Sequence, residues 1–179
     1  MPRNLELKAS IDSLRRAEET ARSLGARFAG TLRQVDTYFA VVRGRMKIRS
    51  IDGRRHELIS YQRPDRRSGR FSDYVVTPLD DPRALRRILA RQLGIRAVVR
   101  KRRRLYLYRN ARIHLDAVTG LGDFIEFEVL VTRGTAQAKA LFAELKNAFD
   151  IRASRTIGGS YSDLIKKSDA PARPRRRKA

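Results

Sequence analysis

The sequence predicts an α+β fold in which an eight-stranded antiparallel sheet closes into a β-barrel with flanking helices. Three observations carry this reading. β-type stretches recur along the chain with hairpin punctuation between them, capped amphipathic helices interrupt them, and several strands place a charge at every second residue. The folded domain is expected over residues 1–168, with residues 169–179 as a disordered basic tail.

The first strand is Asn4-Leu5-Glu6-Leu7-Lys8, whose period of two sets Asn4, Glu6 and Lys8 on one face and both leucines on the other. Asp12 or Ser13 caps a helix with Leu14, Ala17, Ala21 and Leu24 at helical spacing, closed by Gly25. A second helix starts at Asp80 or Asp81 with Pro82 in its first turn, continues through Leu85, Ile88, Leu89 and Leu93, and stops at Gly94. A third runs from about Ala136 to Phe149. The remaining β-type stretches are 28–42, 45–51, 54–62, 71–77, 97–108, 112–118 and 123–132. Arg43-Gly44, Asp52-Gly53, Arg109-Asn110-Ala111 and Thr119-Gly120-Leu121-Gly122 separate them as turns. Consecutive hairpins favour an antiparallel sheet, and eight strands suffice to close a barrel.

Composition narrows the chemistry. The 179 residues carry 41 Lys and Arg against 19 Asp and Glu, a net charge of +22 that calls for a polyanionic partner. The last ten residues hold five of these cations without an apolar period, so the tail offers nonspecific contact to nucleic acid or polyphosphate. No apolar run approaches the ~18 residues of a membrane span, and Met-Pro-Arg-Asn-Leu-Glu lacks the apolar stretch of a signal peptide. The expectation is a cytoplasmic protein, monomeric or homodimeric, without a membrane partner. With no cysteine and only His56 and His114, thiolate chemistry is excluded and a metal is expected on carboxylates, which suits Mg²⁺ or Mn²⁺.

The strand faces carry the functional argument. Arg45, Lys47 and Arg49 share a face, as do Lys101 and Arg103; Arg112, His114 and Asp116 align, and Glu126 pairs with Glu128 opposite Phe127 and Val129. If these faces turn inward, carboxylates meet arginines and lysines in one channel, an arrangement that needs a ligand to balance it. A triphosphate clamped by the cations, with Mg²⁺ or Mn²⁺ on Glu6, Glu126 and Glu128, satisfies that need. Its chemistry would be positioning plus electrostatics.

These residues resemble the CYTH domains, or triphosphate tunnel metalloenzymes, which include class IV adenylyl cyclases and thiamine triphosphatases. Asn4-Leu-Glu6-Leu-Lys8 is similar to the family's N-terminal Glu-x-Glu-x-Lys, with Asn4 in place of the first glutamate. Asp36-Thr-Tyr38-Phe39, Arg45-Met-Lys47-Ile-Arg49, Glu57 to Arg63, Ser72-Asp73-Tyr74, Lys101-Arg-Arg103, Arg112 to Glu128 and Gly159 to Leu164 resemble the class IV cyclase branch. The segment Asp116 to Glu128 is the most specific. The resemblance implies Glu6, Lys8, Glu126 and Glu128 as catalytic residues. It implies Lys8, Lys47, Arg49, Arg63, Lys101, Arg103 and Arg112 as phosphate contacts, and Glu6, Asp116, Glu126 and Glu128 as metal ligands, Asp116 alternatively orienting an arginine. Gln62 stands where many relatives have a lysine, and Arg63 beside it faces the opposite way on a regular strand.

The resemblance favours the first of three functions, an adenylyl cyclase, over two alternatives. An adenylyl cyclase would convert ATP to cyclic AMP and pyrophosphate. A hydrolase would cleave inorganic, thiamine or nucleoside triphosphate in the same tunnel. A noncatalytic binder of polyphosphate or nucleic acid is suggested by 33 arginines against eight lysines. Tyr38, Tyr61 and Tyr74 read as packed strand residues, His114 as structural or a carboxylate's partner, and His56 as surface.

Overall fold

A computed structural model describes residues 3–132 and 134–168 of the chain. Its strands are β1 (Arg3–Ser10), β2 (Arg27–Phe39), β3 (Arg45–Ile51), β4 (Arg55–Gln62), β5 (Arg70–Pro78), β6 (Ile95–Tyr108), β7 (Ala111–Val118) and β8 (Gly122–Leu130). Every neighbouring pair is antiparallel, and the sheet closes in the order β1-β5-β4-β3-β2-β6-β7-β8. The helices are α1 (Leu14–Ser23), α2 (Pro82–Leu93), α3 (Thr135–Ala148) and α4 (Tyr161–Ser168), with a 3₁₀ turn at Ala153–Arg155. The expected tail lies outside the described residues.

Local signals act as anticipated. Ser13 Oγ accepts from the Arg16 amide at 3.2 Å and starts α1, while Asp81 accepts from the Arg83 and Ala84 amides at 3.1 and 2.9 Å and starts α2. The β3–β4 hairpin turns through Asp52 and Gly53 with φ of 53° and 68°, the left-handed pair that a tight hairpin requires. Two features depart most from expectation, while other strand ends shift by a residue or two. β2 ends at Phe39, short of residue 42, where Val42 is fully exposed before the Gly44 turn. The fourth helix, α4, was not anticipated: eight residues with two adjacent lysines carry too little apolar period to read as a helix.

The apolar core lies outside the barrel. Leu5, Leu7, Ile113, Leu115, Ile125, Phe127 and Val129 point from β1, β7 and β8 toward α1 and α3, meeting Ala17, Ala21, Leu141, Phe142 and Leu145. Because side chains alternate across a strand, this outward packing forces the intervening charged residues inward. A second cluster, Tyr38, Val99, Val118, Phe124 and Tyr161, gathers at one barrel end beneath α4. In an antiparallel barrel that end collects the finishes of β1, β2, β4 and β7 and the beginnings of β3, β5, β6 and β8. The helix α4 therefore stops one mouth of the channel and leaves the other open.

Candidate active site

The channel encloses about 460 Å³, within the range of small-ligand sites. Its wall carries Lys8, Lys47, Arg49, Arg55, Arg63, Lys101, Arg103 and Arg112 against Glu6, Glu57, Glu126 and Glu128, eight cations to four carboxylates. All the phosphate contacts and three of the four metal ligands expected from sequence thus face one cavity. Asp116 does not line it.

Two fully buried aspartates stand behind the cations and aim them. Asp36 accepts from Arg49 Nε and Nη2 at 2.7 and 2.9 Å and from Lys47 Nζ at 2.9 Å, and Lys101 Nζ lies 3.9 Å away. Asp116 accepts Arg103 through two bonds of 2.7 Å and the Tyr161 hydroxyl at 2.9 Å, with Lys101 at 3.6 Å. Burial opposes both charges most strongly, yet Arg49 and Lys47 hold the Asp36 carboxyl well below its usual range, and Arg103 and Lys101 do the same for Asp116. The sequence reading includes Asp36 only within the family-like segment Asp36-Thr-Tyr38-Phe39 and gives it no role. Its signal was available, a carboxylate in phase with Gln34 and Tyr38 in an otherwise apolar strand end.

The carboxylate side of the channel is built by register. On β8, Glu126 stands opposite Lys8 of β1 and His114 of β7, and Glu128 opposite Glu6 and Arg112. Lys8 Nζ lies 3.2 Å and Arg103 Nη2 2.8 Å from Glu126, while Arg112 approaches Glu128 at 3.5 Å. Burial opposes the Glu126 charge most strongly, yet its cationic neighbours, Lys8 foremost, hold the carboxyl well below the usual carboxylate range. Glu6 differs: burial raises its pKa, against Arg63 at 2.9 Å and Arg70 at 3.1 Å.

Arg63 faces the opposite way from Gln62, as expected of a regular strand, and it is this direction that points into the channel. β4 ends at Gln62, whose side chain is exposed; Glu57, Ile59, Tyr61 and Arg63 all face the channel in one phase. No bulge is needed, since Arg63 already shares the parity of Tyr61. Its guanidinium also donates to the Gly158 and Gly159 carbonyls at 2.9 and 3.3 Å, tying it to the segment before α4. Tyr38, Tyr61 and Tyr74, expected as plain packing residues, line the channel as well.

A metal set emerges that includes an imidazole. His114, Glu126 and Glu128 offer ligand atoms all within 4.8 Å of one another. His114 Nδ1 is buried without a hydrogen bond, 3.6 Å from Glu126 and 3.8 Å from Glu128. Burial, then Arg103, lowers its pKa, so the ring is the neutral ligand form. The carboxylate-only expectation missed it because only barrel closure sets β7 against β8 in this register. These residues fit a divalent cation, and the nitrogen donor suits Mn²⁺ better than Mg²⁺. Asn4 Oδ1, also buried and without a partner, adds a neutral oxygen to the same wall.

Fold and site together define a closed-barrel tunnel protein with a cation-rich interior. A sequence profile described as the CYTH domain matches residues 2–155. The chain belongs to the CYTH domain family. A protein of Methanocaldococcus jannaschii, named as a candidate adenylate cyclase, is 26% identical over 172 residues, 89% of this chain and 97% of its own length. A solved Pyrococcus horikoshii structure superposes with a TM-score of 0.81 at 22% identity, covering 90% of this chain and 98% of that one. A Hippeastrum protein, described as a candidate adenylyl cyclase with a dominant triphosphatase activity, superposes with a TM-score of 0.64 at 15% identity, covering 96% and 98%. Among the described residues, no helix is long and apolar enough to cross a membrane.

Proposed function

We propose that this chain is a divalent-metal-dependent enzyme that takes ATP into the tunnel and converts it to cyclic AMP and pyrophosphate, in the manner of class IV adenylyl cyclases. One observation carries the reading: a channel with twice as many cations as carboxylates on its wall, stopped at one end by α4. Near the stopped end, Lys8, Lys47, Lys101 and Arg103 converge and receive the two terminal phosphates. The open end carries Leu32, Ile51, Val76 and Leu105 among the charged Arg55, Glu57 and Arg112, apolar surface on which a nucleoside can rest and for which inorganic triphosphate has no use.

In this pose the ribose 3′-oxygen attacks the α-phosphorus, its proton leaves to a carboxylate or water, and the bond to the β-phosphate oxygen breaks. Pyrophosphate departs into the cation cluster. The fixed guanidinium and ammonium groups stabilise charge that develops on the leaving oxygens, already oriented by Asp36 and Asp116. A cation on His114, Glu126 and Glu128 would supply further neutralisation of phosphate charge.

The test is product identification with ATP, inorganic triphosphate and thiamine triphosphate, each with Mg²⁺ or Mn²⁺. Cyclic AMP with pyrophosphate supports the cyclase. Orthophosphate alone overturns that reaction in favour of a triphosphatase using the same tunnel. The Glu126→Gln, Glu128→Gln variant is expected to fold and lose at least 100-fold in turnover, the scale of losing one electrostatic element, about 10²–10³.

A further inference from the structure

The alternation that turns Gln34, Lys101 and Arg103 into the tunnel turns a second set of residues out. On the outer face of the β2–β6 pair, Thr31 stands opposite Arg104, Arg33 opposite Arg102, and Val35 opposite Arg100. Arg33, Arg100 and Arg102 are exposed, and none of their guanidinium groups has a carboxylate partner among the described residues, although the Arg33 backbone amide donates to Asp52 Oδ1 at 2.8 Å. Arg104 differs, bound to Glu18 at 2.8 Å. Like charges directly opposite on a sheet are destabilising, so Arg33 against Arg102 is a folding liability without a counter-anion.

The same face has an aromatic end. A register shift between Phe28 and Gly30 sets Phe28 opposite Tyr106. The ring of Phe28 rests on Tyr106 with centroids 5.2 Å apart and remains 48% exposed. Beside the other end lies α2, which packs against β2 and presents Arg83, Arg86, Arg87 and Arg91, all exposed and without a carboxylate partner among the described residues. Residues two apart on one strand face are about 6.6–6.8 Å from each other, so Arg100 and Arg102, with Arg33 across from Arg102, make a basic stripe along β6 that runs toward Phe28.

We propose that the outer face of β2 and β6 is a docking surface for single-stranded nucleic acid, gripped through its phosphodiester backbone by Arg33, Arg100 and Arg102 and by base stacking on Phe28. The surface lies on the opposite side of the wall from the tunnel and is independent of the reaction there. A row of unpaired guanidinium groups matches a linear polyanion, and an exposed ring on an open sheet matches unpaired bases. A duplex hides its bases, and an anionic membrane offers none, so neither uses Phe28.

Binding is read by fluorescence anisotropy of the full chain with labelled 20-residue oligouridylate and oligothymidylate, the matching duplex, and phosphatidylserine vesicles, across a salt series. The triple variant Arg33→Gln, Arg100→Gln, Arg102→Gln is expected to bind both single strands at least tenfold more weakly. Its log–log salt slope should fall by about 2, from three lost contacts at roughly 0.7 each. Phe28→Ala should weaken single strands about tenfold and leave duplex binding unchanged. Thermal unfolding of the triple variant at or above the wild-type temperature verifies its fold, since a repulsion has been removed. A preference for either RNA or DNA supports the surface. It is overturned by wild-type binding in the triple variant, by vesicles binding as tightly as oligonucleotide, or by complete loss when Arg173, Arg175, Arg176, Arg177 and Lys178 alone are changed to Gln.

Discussion

Lys47 and Lys101 are the channel's most titratable cations. Burial, then the neighbouring Arg49, pulls the Lys47 pKa down to about 8; burial, then Arg103, pulls Lys101 down to about 7. Asp36 and Asp116 resist this but do not cancel it. An unfolded lysine titrates near 10.4. Between the folded values and that figure the unfolded chain binds more protons, so these two lysines make stability rise as pH increases from about 7 toward 10. A triphosphate reverses the local balance by favouring both ammonium forms. Binding of inorganic triphosphate at pH 9.5 without metal is therefore expected to take up protons, roughly one or more, read by titration calorimetry in two buffers of different ionisation enthalpy. Lys47→Met should reduce the uptake. Equal heats in both buffers would show that these lysines enter the complex already charged or do not touch the phosphates.

At the scale of elements, α4 matters more than its length suggests. Tyr161 at its start donates to Asp116, packs edge-on to Phe124 at 5.1 Å, and sets its ring 3.9 Å from Lys8 Nζ and 5.0 Å from Lys101 Nζ. Asp163 on the same helix holds Arg45 and Arg96, both at 2.8 Å. Tyr161→Phe keeps the ring and loses one hydrogen bond to a charged carboxylate, a change of about 1.5–3 kcal/mol. Tyr161→Ala removes the stopper and is expected to destabilise by about 3–5 kcal/mol and raise the KM for triphosphate. Denaturant unfolding distinguishes the two, and equal stability would mean that α4 does not seal the channel. The element also marks where sequence reading reached its limit. Period-two charge on β1, β3, β6, β7 and β8 was legible because strand geometry alone assigns faces, so Glu126, Glu128, Lys101 and Arg103 were found together. His114 as a metal donor, Arg70 as a partner of Glu6, and the placement of Tyr161 depend on which strands and helices become neighbours, and no local period encodes that.

The whole molecule inverts the usual distribution of polarity. Apolar side chains fill the space between barrel and helices, and the barrel interior is left to charges that cannot all be neutralised by one another. A closed barrel tolerates this because its backbone hydrogen bonds and its outer packing do not depend on the channel. The unbalanced cations nonetheless repel across a confined space, at shorter range and in a lower dielectric than on the surface. A multivalent anion that enters should therefore stabilise the fold well beyond any effect of ionic strength. At 100 times its Kd, inorganic triphosphate contributes about 2.7 kcal/mol, which for a chain of this size corresponds to a Tm rise of roughly 5–11 °C. Sodium chloride at matched ionic strength acts only by screening, which reaches buried pairs poorly, and should produce a small fraction of that rise. Differential scanning fluorimetry with the two salts is the measurement. Equal shifts would place the anion on the outer surface and leave the interior without its ligand.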